Sequence, residues 1–181
     1  MSASQPVRRI ITGQRASGES VFAIDEEVEP NVHPASAYTY WPIWGRDEVT
    51  QLPYDVSDYV PTMFPSTAEG FRAHVVEFPA KGGPFPEPRG KMPPRGLAEG
   101  TYVEPDEHGM HWTDTVDIVI VLEGEIGLVQ GDGSEARLTP GTVLVQNGAM
   151  HAWRPGDVAC RMCFVNLGAQ RSAAPSADSL S

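Results

Sequence analysis

The side chains best suited to chemistry lie in two stretches, residues 108–125 and 138–154. The first contains His111, Thr113 and Asp117, and the second contains His151. On a β-strand, positions 111, 113 and 117 share one parity, so their side chains can face a barrel interior, with His151 on a facing strand. Two imidazoles and one carboxylate suit Fe(II), and Zn²⁺ or Mn²⁺ would fit these donors nearly as well. The spacing therefore predicts a polar or metal-binding pocket.

The same residues also permit chemistry without a metal. Histidine titrates near neutrality and a carboxylate can fix its tautomer, so His111, His151 and Asp117 could act as an acid–base set. Thr113 would hydrogen-bond the substrate or a metal-bound water. Two ordinary structural roles stay open: Asp117 could be a surface residue at the start of a strand, and His151 could be a core histidine with satisfied hydrogen bonds.

The other histidines have weaker claims to a role. His108 is out of phase with His111 and follows an acidic residue in a loop, which predicts a solvated side chain, with a role as a metal ligand as the alternative. For His33 and His74 the sequence identifies no partner.

Large apolar side chains flank the proposed ligands. Met110, Trp112, Met150 and Trp153 could line a substrate pocket, because small-molecule sites combine apolar and aromatic walls with a few polar groups. Packing in the barrel core or at a dimer interface is the alternative for each of them.

Strands must position these residues, because the sequence gives little sign of helix. Glycine and proline number 18 and 17, and no long stretch has the apolar spacing of an amphipathic helix. Ten short segments are rich in β-branched and aromatic residues and are bounded by turn formers, which predicts an all-β sandwich or barrel. The predicted strands are residues 7–12, 20–24, 37–44, 72–78, 117–122, 125–130, 136–138, 142–146, 149–154 and 159–167.

Glycine-containing turns separate the predicted strands. Residues 15–19 predict an early hairpin, and turns at 123–124, 131–134 and 140–141 predict an antiparallel meander in the second half. Residues 79–108 hold seven prolines and five glycines and should form a long irregular loop, which would be a lid, a pocket wall or a disordered flap. We expect one domain over residues 1–169, followed by a flexible Ser/Ala-rich tail at 170–181.

Composition excludes several classes of partner. The formal net charge of −11 opposes binding to nucleic acid or to anionic membranes. No apolar run is long enough to span a membrane and the N-terminus lacks the order of a secretory signal, so we expect a soluble, cytoplasmic protein. Cys160 and Cys163 lie three apart on a predicted strand and face opposite sides, which favours reduced, packed thiols over a metal or redox pair.

The first stretch resembles the first motif of the cupin superfamily, which has the form G(x)5HxH(x)3–4E(x)6G. Gly124 takes the place of the closing glycine and Asp117 that of the glutamate. His111 matches the first histidine, whereas Thr113 stands where the family has the second.

The second stretch resembles the second cupin motif, G(x)5PxG(x)2H(x)3N, with one residue fewer after Gly141. Gly148 and His151 keep the G(x)2H spacing, Gln146 occupies the proline position and Pro155 the final asparagine. The resemblance implies an antiparallel jelly-roll barrel (a double-stranded β-helix), one divalent metal held by motif residues, and a homodimer.

These observations predict a metal-dependent cupin enzyme acting on a small, aromatic or carbonyl-bearing organic molecule. Its metal would be Fe, Zn or Mn, bound by His111, Asp117 and His151, with Asp117 and Thr113 as catalytic residues. Oxygenation, decarboxylation, lyase chemistry and isomerisation all stay open, because fold alone does not give function. The alternatives are a metal-free isomerase, dehydratase or cyclase that uses the same pocket, and a cupin that binds a small molecule without turnover.

Overall fold

The computed structural model describes residues 5–32, 38–52, 62–83 and 108–172, and these residues contain strands but no helix. Each of the ten predicted segments coincides with a strand, although residue 37 lies outside the described part, and only the short β3 was not predicted. The strands are β1 (Val7–Gln14), β2 (Ser20–Val28), β3 (Asn31–Val32), β4 (Thr39–Arg46), β5 (Phe71–Phe78), β6 (Thr115–Glu123), β7 (Ile126–Gln130), β8 (Glu135–Leu138), β9 (Val143–Gln146), β10 (His151–Pro155) and β11 (Cys160–Gly168).

Two antiparallel sheets form the body of the protein. The larger has the order β3-β4-β5-β11-β6-β9 and the smaller β10-β7-β8, while β1 and β2 form the predicted early hairpin. The predicted meander is wrong: β6 pairs with β9 and β11, and of the successive pairs from β6 to β10 only β7 and β8 are joined as a hairpin. The chain alternates between the sheets instead, and this produces the predicted jelly-roll arrangement.

The turn between β6 and β7 shows why the chain changes sheets there. Gly124 has φ of 71°, and a Cβ at this position would overlap the carbonyl oxygen of Ala159. Only glycine allows both the left-handed conformation and this close approach of the backbone before β11. The chain can therefore leave the large sheet after Glu123 and enter the small sheet at Ile126.

Replacing Gly124 by alanine is expected to lower the free energy of unfolding by about 2–3 kcal/mol, because it combines an unfavourable φ with steric overlap. Gly133 is the matched control, since its φ is 82° but a Cβ there would have no neighbour within 4 Å. Gly133→Ala should cost only about 1 kcal/mol. Urea unfolding of both variants measures the difference, and equal losses would show that Ala159 does not restrict the turn.

The interior of the barrel is divided into a polar half and an apolar half. Across the large sheet, Arg72, Asn166, Asp117 and Gln146 are successive Cα partners, and all four are buried. We call these residues the polar half, together with Thr113, Thr115, His74 and His151, which are also buried. The apolar half contains the main hydrophobic cluster, whose members include Val76, Phe78, Val119, Val121, Ile126, Leu128, Leu138, Cys160 and Met162.

Some predictions fall on residues outside the described part of the chain. These are His33, most of the proline- and glycine-rich segment (residues 84–107) and most of the C-terminal tail (residues 173–181). Within the described ranges both cysteines are free thiols, as predicted, with Cys160 buried and Cys163 partly buried. No helix with the length and hydropathy of a membrane span occurs in these ranges.

Candidate functional site

His111 and His151 meet where the segment before β6 reaches the small sheet. Their backbones form an antiparallel bridge, in which each N–H donates to the other residue's carbonyl oxygen at 2.9 Å. The ring centroids lie 4.4 Å apart with an interplanar angle of 49°. Two residues that are 40 positions apart in the sequence therefore present adjacent imidazoles.

Backbone carbonyl groups lie next to the Nδ1 atoms of both rings. The Nδ1 atom of His111 lies 3.0 Å from Gly109 O, and that of His151 lies 2.8 Å from Ala149 O. Such contacts are attractive only when Nδ1 carries the hydrogen and donates it. Gln146 Nε2 donates to the same Ala149 oxygen at 2.9 Å and also lies 3.1 Å from His151 Nδ1. The contact with Gly109 O favours the tautomer of His111 that carries its lone pair on Nε2, whereas Nδ1 of His151 faces both a carbonyl acceptor and an amide donor.

Burial keeps His151 neutral. Desolvation is the largest effect that lowers the pKa of His151, and the positive charge of a protonated His111 lowers it further. The hydrogen bond to Ala149 opposes them by a smaller amount, and the pKa is about 4. At neutral pH His151 is consequently an uncharged hydrogen-bond acceptor in a desolvated position.

A chain of side-chain contacts runs along β6 from Thr113 to Asp117. Thr115 Oγ1 donates to Thr113 Oγ1 at 2.7 Å, and Thr115 is also a hydrogen-bond neighbour of the Asp117 carboxyl group. A hydroxyl has one hydrogen, so Thr113 and Asp117 compete for it. Burial raises the pKa of Asp117, and the hydrogen bonds with Thr115 and Asn166 oppose the increase only in part.

The three predicted metal ligands do not form one cluster in the described structure. His111 and His151 are adjacent, whereas Asp117 interacts with Thr115 and Asn166 on the large sheet. Among the described residues no group of three or more His, Cys, Asp and Glu side chains is arranged to hold a metal ion. His111 and His151 could therefore supply two ligands of a metal site, but no carboxylate among the described residues completes the facial triad. Metal binding stays a prediction.

The predicted pocket residues are distributed over different surroundings. Trp153 lies inside the barrel, with its ring 5.7 Å from that of His151 in an edge-on contact and 5.8 Å from that of Phe164. Trp112 lies under the guanidinium group of Arg171, 4.0 Å from its ring centroid. Trp153 is therefore the aromatic side chain that the structure places beside the histidine pair.

The other predicted positions lie nearer the surface. Met150 is 41% exposed, and Met110 is half-buried. His108 is exposed, and its carbonyl oxygen accepts a hydrogen bond from Arg154 Nη1 at 2.9 Å. No role for these residues follows from their positions.

Sequence reasoning did not identify three polar residues that belong to this region. Asn166 and Arg72 are 1% exposed and His74 is 4% exposed, all on the inward face of β11 or β5. The alternation of inward and outward positions along the strands could have identified these three residues. Each occupies an inward position among apolar residues of a predicted strand, where a polar side chain calls for an explanation.

No protein-family model matches the chain. Phomopsin biosynthesis cluster protein C' of Diaporthe leptostromiformis is 33% identical over 175 residues, covering 90% of this chain and 78% of that protein. The chain belongs to the family of this protein. Phomopsin biosynthesis cluster protein D of the same organism is 43% identical over 63 residues, which is 34% of this chain and 33% of that protein.

Solved structures with a similar fold include two whose overlap with this chain is extensive. The cupin domain of Schizosaccharomyces pombe Cnp3 is 14% identical, with a TM-score of 0.44 over 92% of this chain and 89% of that one. The polyketide cyclase RemF of Streptomyces resistomycificus is 18% identical, with a TM-score of 0.44 over 83% of each chain. The strand orders of the two sheets agree with the all-β jelly-roll fold that the two motifs predict.

Proposed function

We propose that this chain is an enzyme that binds a small organic molecule in the polar half of the barrel and moves a proton between it and His111 and His151. The observation that carries the proposal is the pair of adjacent imidazoles, whose ring centroids lie 4.4 Å apart and whose Nδ1 atoms both contact a backbone carbonyl oxygen. A neutral imidazole has one nitrogen with a lone pair, which can accept a proton or a hydrogen bond from a substrate. This is the metal-free alternative of the sequence analysis, and Asp117 is not assigned to the proton transfer.

Desolvation suits the pair to a reaction that creates an anion. An isolated imidazolium is disfavoured in this buried position, which is why the pKa of His151 is low. When the proton comes from a carbon next to a carbonyl group, the resulting enolate lies beside the new imidazolium, and the two charges stabilise each other strongly where water is excluded. The same step underlies isomerisation, dehydration and cyclisation.

Thr113 and Trp153 would bind the substrate. Since Thr113 Oγ1 accepts a hydrogen bond from Thr115, its own hydrogen can be donated to a substrate oxygen. Trp153 offers an aromatic surface next to His151. An aromatic, carbonyl-bearing molecule fits both contacts, and the names of the two relatives lead us to propose that it is an intermediate in a biosynthetic route.

Hydrogen exchange in D₂O tests the proton transfer without knowledge of the natural substrate. We expect the full chain to accelerate deuterium incorporation next to the carbonyl group of phenylacetone or β-tetralone, measured by NMR. Replacing His111 or His151 by glutamine should reduce the rate by about 10²–10⁴-fold, because the basic nitrogen is removed. Glu135→Gln, an exposed change in the same small sheet as His151, is the control.

Two results would contradict this proposal. Exchange that is equally fast in both histidine variants would place the base elsewhere. Binding of the ketones without any acceleration of exchange would instead support a cupin that binds small molecules without turnover.

A metal-dependent enzyme is the second candidate. The contacts of Nδ1 with Gly109 O and Ala149 O favour it, because metal-binding histidines are oriented by such contacts. A bound divalent ion would polarise a substrate oxygen or activate O₂. Under this candidate, protein purified without chelator contains Fe, Zn or Mn in stoichiometric amount, and His111→Ala and His151→Ala both lose it. A wild-type protein that stays metal-free after loading eliminates the candidate.

A further inference from the structure

Three buried polar atoms in the polar half have no hydrogen-bond partner in the described structure. They are Asp117 Oδ1, Asn166 Oδ1 and His74 Nδ1. Their residues are 5%, 1% and 4% exposed, so bulk water does not reach them freely. Buried polar atoms nearly always have a partner, because leaving one without any costs free energy. Three such atoms on three neighbouring strands indicate that something else supplies the hydrogen bonds.

The strand register brings the three side chains to one region. Asp117 and Asn166 are direct Cα partners across β6 and β11, and their side chains are hydrogen-bonded. His74 on β5 is the partner of Phe164, two residues from Asn166 on β11, and its ring stacks on that of Phe164 at 5.5 Å. Partners on one face of a sheet are close, and diagonal neighbours lie within reach of longer side chains.

All three atoms can accept a hydrogen bond. The hydrogen bond with Asn166 lowers the pKa of Asp117, as donation from an amide nitrogen to a carboxylate does, and this leaves Asn166 Oδ1 as an acceptor. Asp117 Oδ1 accepts when the carboxyl group is ionised, and His74 Nδ1 accepts when the ring hydrogen is on Nε2. The missing partner is therefore a group with several hydrogen-bond donors.

The charges near this region select the kind of donor. Asp117 forms no ion pair with the described residues, and Arg72, the cation that is the partner of Asn166 two strands from Asp117, is already engaged. Arg72 donates from Nη2 to Asp47 at 2.6 Å and from Nε to Thr62 at 2.8 Å, and Nη1 donates to two carbonyl oxygens. The region thus lacks a cation for Asp117.

We propose that Asp117, Asn166 and His74 form an inner subsite that binds a primary ammonium group of the substrate. An ammonium group has three N–H donors and one positive charge, which match three acceptors of which one is a carboxylate. Trp153 and Phe164 lie between this subsite and His151, so the ligand is an aromatic amine. The subsite specifies the substrate class of the proposed function. It rests on that function only because both use the polar half of the barrel.

Calorimetry with two matched probes tests the subsite. Phenethylamine is protonated at neutral pH, and phenethyl alcohol has nearly the same shape without the charge. We expect the full chain to bind the amine about ten- to hundredfold more tightly than the alcohol, as for hydrogen bonds to a charged group. Asp117→Asn, which preserves the shape of the side chain, should remove most of this preference. His74→Phe, which can retain the stacking on Phe164, should reduce it in part.

The comparison within the wild-type protein does not depend on the folding of any variant. Equal affinity for the two probes would overturn the proposal. The absence of binding of either probe would also overturn it, and buried water would then be the partner of the three atoms. Glu135→Gln removes an exposed charge and should leave the preference unchanged. A preference that persists in Asp117→Asn would place the amine at the acidic surface and would also overturn the proposal.

His151→Gln separates this subsite from the proposed function. If both are correct, this variant keeps its affinity for phenethylamine but loses hydrogen exchange of the ketones. Exchange without amine binding would overturn the subsite alone. Amine binding without exchange in the wild-type protein would overturn the proton transfer alone.

Discussion

Acidification from about pH 7 to about pH 4 is expected to destabilise the fold by several kcal/mol, because two buried histidines must stay neutral in it. Desolvation, together with the charge of Arg72, lowers the pKa of His74 to about 3. Desolvation together with His111 lowers the pKa of His151 to about 4. In the unfolded chain both side chains titrate near about 6.5.

The direction of this pH effect follows from the difference in the number of protons that the unfolded and the folded chain bind. Above about pH 6.5 both histidines are neutral in either state, and the native fold has its full stability. Between that pH and the folded pKa values the unfolded chain binds protons that the folded chain does not, so stability falls as the pH falls. The order of magnitude is about 2–3 kcal/mol for each histidine at about pH 4. Asp117 offsets part of the loss of stability. Burial raises the pKa of its carboxyl group, so protonation at low pH removes the cost of burying the charged form.

Urea unfolding at a series of pH values measures the effect, and His74→Phe identifies the contribution of one residue. The phenyl ring can stack on Phe164 as the imidazole does, and it takes up no proton. This variant should lose roughly half of the pH dependence, whereas His108→Gln, at an exposed position, should retain all of it. A pH profile that is flat, or that is the same in His74→Phe, would show that His74 is not held neutral by burial.

Replacing Arg72 by methionine is expected to lower the free energy of unfolding by about 3–5 kcal/mol. The guanidinium group is 1% exposed and binds Asp47, Thr62 and the carbonyl oxygens of Arg46 and Phe71. Methionine replaces the apolar stem but removes every donor, which leaves two carbonyl groups and a partly buried carboxylate without these hydrogen bonds.

Arg8→Met is the matched control for this prediction. Arg8 also forms an ion pair, with Asp25 at 2.7 Å, but the side chains are 65% and 48% exposed. Exposed pairs contribute about 0–1 kcal/mol, so this variant should unfold almost as the wild type does. Denaturant unfolding with near-UV circular dichroism would compare the two. Equal losses in both variants would mean that burial adds nothing to the importance of Arg72.

Local features of the sequence were enough to predict the strands and the inward positions of some candidate site residues. Strand positions follow from short runs of β-branched and aromatic residues, and turns follow from glycines such as Gly124, because both depend on neighbouring residues. Alternation along a strand likewise placed Thr113 and Asp117 on one inward face. These are properties that a strand has before it pairs with anything.

Tertiary structure decided which strands pair and what each inward side chain meets. The turns suggested a meander, but β6 pairs with β9 and β11, and this brings Asn166 beside Asp117. The bridge between His111 and His151 and the low pKa values of His74 and His151 arise in the same way. The sequence by itself determined the strands, the turns and the inward parity of the candidate site residues. Only the tertiary structure determined their neighbours and their burial, because cross-strand contacts join distant residues and desolvation depends on all the groups that enclose a side chain.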